Sequence, residues 1–400
     1  MSKYVDVIYA AIIVSMTVTF FWTGTAGAIV QGTVVALLLP IYIQLMLRRM
    51  RPGVLLQLLY VPVGYTMIAL ISTLINIENY VEDGVVMAVV VSLNVAFMLF
   101  TASLIASDSD PHLPERVLRW CGVLMLGFLL YALATLEHAT DGDRFTTEHT
   151  HPNWWGMLCF GVTCCSLFYR RKRALFVISN VVSVFMMYLA QSRGAMAGVA
   201  VALLLYGLIA GAQSAARRPG LVIGTTLGGI GVLSLGLIGF NWSKVESIVL
   251  DFLYEDVLFL HDENRGLESG LTGRVDAWID AWEIWLENPL LGTGFGTNSD
   301  VHNGFLIIGS EGGLVYFLFV LALLAAGIKR AGQRQPALLA TLVGYMVLIM
   351  TYPRSINLNF GAIVFEVALL AAISRKGVSP GFRSEASGAL TRSGEPSAVP

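Results

Sequence analysis

Residues 304–328 read GFLIIGSEGGLVYFLFVLALLAAGI, an apolar run with one ionisable side chain, Glu311. About 20 consecutive apolar residues cross the hydrocarbon core of a bilayer as a helix, so this stretch reads as a membrane span. The same pattern recurs outward from it in both directions. Spans are expected near 4–23, 27–47, 53–77, 84–106, 117–137, 153–169, 174–190, 194–213, 220–240, 304–328, 336–352 and 358–373. That makes an all-α, polytopic membrane domain over 1–376 with about twelve transmembrane helices. Composition agrees: of 400 residues, 56% are hydrophobic and 13% charged, about half the ~25% charge of a soluble domain. Mean hydropathy is +0.71. A chain this apolar is excluded as a cytosolic enzyme, a nucleic-acid binder or a secreted disulfide scaffold. Ala26-Gly27-Ala28 after the first apolar run has the small-residue look of a signal-peptidase site. That run is long for a signal peptide, so it is kept as the first span, and either choice leaves the remaining topology unchanged.

Charge distribution sets the expected orientation. With the N-terminus inside and the spans alternating, 19 of the 25 Lys and Arg residues fall on the inner side. The outer six are Arg144, Arg193, Lys244, Arg265, Arg274 and Arg354. His138, His149, His151, His261 and His302 join them, and only His112 is inside. The inner clusters are explained by topology alone; the outer cations are not, so polar chemistry concentrates on one face. Both termini are expected in the cytoplasm, with 377–400 a Ser/Gly/Pro-rich disordered tail. Cys121, Cys159, Cys164 and Cys165 sit in apolar runs without polar co-ligands and read as packing residues.

Residues 241–303 form the one large extracytoplasmic loop. Val245–Leu260 carries apolar residues at helical spacing. RVDAWIDAWEIWLEN, Arg274 to Asn288, sets Trp278, Trp282 and Trp285 on one stripe, with Asp276, Asp280, Glu283 and Glu287 on the wetter side. Thr272 is the expected N-cap and Pro289 the stop. The tryptophans suit the headgroup level, either as an anchor for the loop or as the roof of a cavity open to lipid. Arg274 lies in the first turn, where free N–H groups favour an anion. Gly292-Thr293-Gly294-Phe295-Gly296-Thr297 follows, a loop whose glycines permit close backbone approach to a ligand. His302 and Asn303 stand where the chain re-enters the membrane.

Three further outer positions stand out. Arg193, in the tight turn Gln191-Ser192-Arg193-Gly194, is held at or just above membrane depth, where an unexplained guanidinium calls for an anionic partner. Arg144 and His149-Thr150-His151-Pro152-Asn153 precede the sixth span; two histidines without a third ligand make a poor metal site. Arg354 reads either as a phosphate contact or as an interfacial snorkeler.

Gly273-Arg274, Trp278, Pro289-Leu290-Leu291-Gly292-Thr293-Gly294, His302-Asn303-Gly304-Phe305-Leu306 and Glu311-Gly312-Gly313 together resemble the O-antigen ligase and O-antigen polymerase superfamily of bacterial envelope proteins. The resemblance extends to Ser192-Arg193-Gly194 and, more loosely, to Pro152-Asn153 with Arg144. It covers about residues 140 to 325. It implies a twelve-span, inverting, metal-independent glycosyltransferase of the bacterial inner membrane that needs no cofactor. Its donor would be a glycan on undecaprenyl diphosphate at the outer leaflet. Its acceptor would be a hydroxyl of lipid A core, of a protein or of the next repeat unit. Carried over by position, Arg193 and Arg274 would hold the diphosphate with His302 near the reacting centre. Asn303, Arg144, His151, Asn153, Gly294, Trp278 and Arg354 would line the substrate site.

Other readings compete. Twelve spans also describe a polysaccharide or lipid transporter, which should carry ionisable groups near mid-membrane; Glu366 is the one well inside a span. Asp141-Gly142-Asp143 has the form of a metal-dependent glycosyltransferase motif. A scaffolding protein would leave the outer arginines unexplained.

Overall fold

The structure is a computed structural model that describes residues 4–19, 40, 44, 49–80, 84–135, 139–141, 144–146, 152–169, 172–217, 274–297, 301–332, 335–350 and 362–374. Expected features at 27–39, 136–138, 147–151, 218–273, 351–361 and 375–400 lie outside them. These include His138, His149, His151, Lys244, His261, Arg265, Thr272, Arg354, the Val245–Leu260 helix and the tail.

The architecture is all-helical apart from one small hairpin. In chain order the helices are α1 (Val5–Thr19), α2 (Pro52–Leu58), α3 (Tyr60–Ile75), α4 (Gly84–Ser107) and α5 (Leu113–Thr135). After the hairpin come α6 (Pro152–Ser166), α7 (Arg173–Leu189), α8 (Arg193–Arg217), α9 (Arg274–Glu287), α10 (Gly304–Gly332), α11 (Pro336–Ile349) and α12 (Ala362–Ser374). The hairpin pairs β1 (Ala139–Asp141) with β2 (Arg144–Thr146), Asp141 opposite Arg144. Proline places several starts: Pro52 and Pro336 occupy the first turn of α2 and α11, where the missing N–H costs nothing. Pro62 cannot donate to Leu58, which explains the irregularity between α2 and α3.

Four helical stretches among the described residues are long and apolar enough to cross a membrane: Pro52–Ile75, Leu113–Ala134, Arg193–Gln213 and Gly304–Gly332. Further apolar helices are shorter, 10–17 residues. The membrane fold is therefore plain, while a count of twelve spans goes beyond these four. Burial runs opposite to a soluble protein's. On α7, Val177, Val181, Val184 and Phe185 are about half exposed, whereas Ser179 and Ser183 are fully buried. Large apolar groups outward and small hydroxyls inward is the arrangement expected when the solvent is lipid.

Helix contacts follow small residues. Gly194, Gly198 and Ala202 recur every four residues along α8, which packs closely on α11. A Cβ on Gly198 would lie 3.0 Å from the Gly344 carbonyl, and one on Gly344 would lie 2.7 Å from the Ala202 Cβ. The four cysteines are buried in α5 and α6. At one end of the bundle the cations gather: Arg49 pairs with Asp108 at 3.2 Å, and Arg116 with Asp6 at 3.3 Å and Asp110 at 2.8 Å. Arg330 donates to the Ile373 carbonyl there. The site lies at the opposite end.

Candidate functional site

Helix α10 is broken at Gly313 (φ 63°, ψ −167°), a backbone region that only glycine enters cheaply. An unbroken helix would pair Leu314 N–H with the Ser310 carbonyl and Val315 N–H with that of Glu311. The loop after α9 satisfies all four groups instead. Thr293 and Gly294 N–H donate to Ser310 and Glu311 at 2.8 and 3.0 Å. Leu314 and Val315 N–H donate to the Pro289 and Leu290 carbonyls at 2.8 and 3.2 Å. Each group left unpaired in such a buried place would cost on the order of 1–3 kcal/mol. The Pro289–Gly294 turn and the Glu311-Gly312-Gly313 break are thus one object, a backbone clasp.

The glycines are what let the two strands of the clasp meet. A Cβ at Gly292 would run into the Glu311 carbonyl, one at Gly313 into Leu290, and one at Gly294 into the Tyr80 hydroxyl. The close approach expected at this loop is therefore to the protein's own backbone, and the Gly294 N–H is committed to Glu311. Phe295 seals the underside, buried against Tyr65 and Tyr316 with ring centroids 5.9 and 5.0 Å away.

Helix α3 and the turn that follows it hold the clasp through residues that sequence reading passed over. Ser72 Oγ lies 2.6 Å from the Leu291 carbonyl and 2.9 Å from that of Glu311, sharing its proton between loop and helix. Asn76 donates to the Gly292 carbonyl at 3.0 Å, Asn79 to Thr293 at 3.2 Å and the Tyr80 hydroxyl to Phe295 at 2.9 Å. Burial raises the Tyr80 pKa above the ordinary phenol range. The signal was available: polar residues at 72, 76, 79 and 80 keep helical spacing at the exit of an apolar span.

Helix α9 packs along α10. Trp278, Ala281, Val301, Leu306 and Ile307 form a small apolar cluster. Trp285 lies over Gly309 and meets Phe317 at 4.9 Å. The three tryptophans keep to one stripe, with the Trp282 and Trp285 rings 5.4 Å apart, but they meet different surroundings. Trp278 and Trp285 face α10, whereas Trp282, about 40° around the helix from Trp278, is half exposed. Its outward neighbours are Val275, Ile279 and Leu286. Asp276, Asp280, Glu283 and Glu287 make a third, exposed acidic face. One side on protein, one apolar and one charged is the pattern of a helix lying in an interface. The Trp278 Nε1 is buried without a hydrogen-bond partner among the described residues, which fits a packing role.

Arg274 is half-buried and stands one turn before Trp278 on the α10-facing side. Contacts along α9 and α10 advance together, Trp278 with Val301 and Leu306, then Trp285 with Gly309 and Phe317. That order sets Arg274 toward the start of α10. His302 is there, half-buried and in the left-handed region (φ 46°). It is held between Val301, pinned in the α9 cluster, and Asn303. The Asn303 Oδ1 accepts the Phe305 and Leu306 N–H groups at 3.1 and 3.3 Å. Asn303 is thus the N-cap of α10, and its Nδ2 has no hydrogen-bond partner among the described residues.

Arg193 opens α8 at the same end of the bundle. The turn before it is a Schellman motif: Gln191 is left-handed (φ 48°), Gln191 N–H donates to Tyr188 and Ser192 N–H to Met187. Gly156 of α6 seats this turn, since a Cβ there would collide with Ser192. Asn153 lies one turn before Gly156 on the same face of α6. Arg193 and Asn153 thereby come to neighbouring helix ends. The hairpin docks beside them, with Phe145 edge-on to Trp155 at 5.3 Å, which fixes the backbone of Arg144. Among the described residues no three His, Cys, Asp or Glu side chains converge in the manner of a metal site.

Residues 178–321 match the family model described as O-antigen ligase. Over this segment, which is less than half of the chain, the protein is similar to the O-antigen ligases. The O-antigen ligase match begins within α7 and ends within α10, enclosing Arg193, Arg274, the clasp and His302. The residues of α3 and of the turn after it that brace the clasp fall outside it. No curated protein matches the chain. The apolar helices and this match together point to an inner-membrane protein with a ligase- or polymerase-like role in polysaccharide assembly.

Proposed function

We propose that this chain moves a glycan from undecaprenyl diphosphate to an acceptor hydroxyl at the outer face of the inner membrane, with inversion and without a metal. What supports the reading is the side-by-side packing of α9 and α10, which sets the first turn of α9, with Arg274, at the same end as the start of α10, with His302. The acceptor oxygen attacks the anomeric carbon as its proton passes to His302; the bond from that carbon to the diphosphate oxygen breaks, and the lipid diphosphate leaves with its charge. Arg274 and Arg193 receive that charge. A guanidinium does so without a proton transfer, in bidentate geometry matched to phosphate. At an effective dielectric near 20, a contact charge pair is worth about 4 kcal/mol before desolvation. The α9 dipole adds to it.

Around this centre Asn303 donates through Nδ2 to a sugar hydroxyl or the imidazole. Arg144, Asn153, His151 and Arg354 complete the anionic and polar contacts. Trp278 and Gly294 hold α9 and the clasp in register. About twelve spans with both termini cytoplasmic would put all of these outside. The acceptor is either lipid A core or a growing glycan.

The test is glycan transfer in membranes supplied with an undecaprenyl-diphosphate glycan. Stably inserted Arg274→Lys and Arg193→Ala should lose transfer by about 100-fold or more, the size reported for removing a preorganised charge stabiliser. Normal transfer by both would remove the arginines from the mechanism. A transporter would instead move substrate across proteoliposomes without releasing the carrier.

A further inference from the structure

At the basic end of the bundle, far from the clasp, a cavity of about 620 Å³ opens between the start of α1, the first turns of α5 and the α6–α7 turn. Arg116, Arg119 and Lys172 line it, with Asp6 as the one carboxylate. Arg116 is occupied, since it bridges Asp6 and Asp110. Arg119 and Lys172 have no carboxylate partner among the described residues, so the cavity keeps a net positive charge even after Asp6 and Asp110 are set against Arg116. A second hollow of about 180 Å³ shares Tyr169 and Lys172 with it and adds Arg173.

The wall is amphipathic in a definite order. Arg116, Arg119, Trp120 and Val123 stand at helical spacing on one face of α5. That face runs from guanidinium through indole to aliphatic as it leaves the basic end. Leu175 of α7 continues the apolar side. A soluble anion would use the cations and leave this wall bare, whereas a molecule with an anionic head and hydrocarbon tails would cover both. Tryptophan also favours the level where headgroups meet acyl chains. The volume falls in the range of small-molecule sites, roughly 300–1,000 Å³.

We propose that this cavity binds one anionic phospholipid of the surrounding bilayer. Its phosphate lies between Arg119 and Lys172, and its acyl chains lie along Trp120, Val123 and Leu175. Basic recesses between membrane helices recognise lipid head groups by this chemistry. The site is independent of the transfer reaction and sits at the other end of the molecule. Bound lipid would tie α1, α5 and α7 together at the point where Arg116 already links α1 to α5.

Native mass spectrometry of the full chain in mild detergent tests it, with phosphatidylglycerol and phosphatidylcholine of identical acyl chains added in equal amounts. The expected result is one retained phosphatidylglycerol per chain, preferred about thirty-fold, the gain from two cations near a membrane surface. Arg119→Gln with Lys172→Gln should bring the two lipids close to parity, while Arg119→Lys with Lys172→Arg keeps the preference. Inorganic phosphate in tenfold excess should leave the adduct in place. Parity in the wild-type chain, a measurement that needs no variant, would overturn the proposal. So would an undiminished preference in the glutamine pair. Displacement by phosphate alone would reassign the cavity to a soluble anion.

Discussion

The Gly294 amide donates to the Glu311 carbonyl at 3.0 Å, taking the place that Val315 would hold in an unbroken helix. One step along, Thr293 does the same for Ser310. The consequence reaches the proposed reaction. The clasp fixes where α9 ends relative to α10, and Arg274 and His302 ride on the far ends of those two helices. Glycines 20 Å of helix away from the arginine, on the order of 1.5 Å per residue, therefore set the geometry of the charge-bearing groups.

Substitution at the clasp should separate strain from collision. Gly292→Ala and Gly313→Ala each force a left-handed alanine whose Cβ meets backbone, and backbone cannot swing aside. Each should cost on the order of 3 kcal/mol or more. Gly296 is also left-handed (φ 85°) but faces open space, so Gly296→Ala should cost only about 1–2 kcal/mol. Thermal unfolding of the purified variants in detergent, followed by tryptophan fluorescence, gives the order. Equal losses at all three positions would contradict the clasp.

Tyr80 should make the clasp sensitive to alkali. Burial raises its pKa, and its neutral hydroxyl donates to the Phe295 carbonyl. A raised folded-state pKa means the contribution is fully present below the unfolded phenol pKa, about 10. It is lost as pH rises through the folded value. Stability measured from pH 8 to 11 should fall at the top of that window. Tyr80→Phe should start lower, by about 1 kcal/mol, with less of the alkaline decline. An unchanged decline in Tyr80→Phe would assign it to another group.

Much of this was legible from residue order, and the reason is physical. Apolar length marks helices wherever lipid is the solvent, so α10 and α8 begin at Gly304 and Arg193, at the starts of the expected 304–328 and 194–213 segments. Arg274 and His302 stood out because topology left them unexplained. What was not legible was non-local. A left-handed glycine looks the same whether a phosphate or a carbonyl approaches it, and the group approaching Gly294 belongs to Tyr80, more than 200 residues upstream. The bond from Ser72 to Leu291 spans 219 positions, beyond any local pattern. Trp282 is more exposed than Trp278 and Trp285 because α10 covers only part of the helix circumference, a width that spacing alone does not reveal.

Asn303 carries two tasks that can be split. Its Oδ1 caps α10, and its Nδ2 is the group left to donate. Asn303→Asp keeps a capping oxygen and gains favourable charge at a helix N-terminus, so stability should hold or rise. Asn303→Ala should lose about 1 kcal/mol. If the amide contacts substrate, transfer falls in both variants, despite their opposite stabilities. Transfer that tracks stability would leave Asn303 a cap alone.

His302 offers the sharpest reading of the chemistry, because Arg274, at the same end of the α9–α10 pair, supplies a control. A general base must be unprotonated. Initial rates of transfer should therefore rise with pH as the imidazole gives up its proton, and then level off. His302→Gln is expected to lower the plateau about 10²–10⁴-fold, the usual worth of such a base, and to abolish the rise. Arg274→Lys should lower the plateau while leaving the rise in place, since its charge is constant across it. A His302→Gln enzyme that keeps the acid limb would move the base elsewhere. The left-handed backbone at His302, braced between Val301 and Asn303, would then serve only to turn the chain into α10.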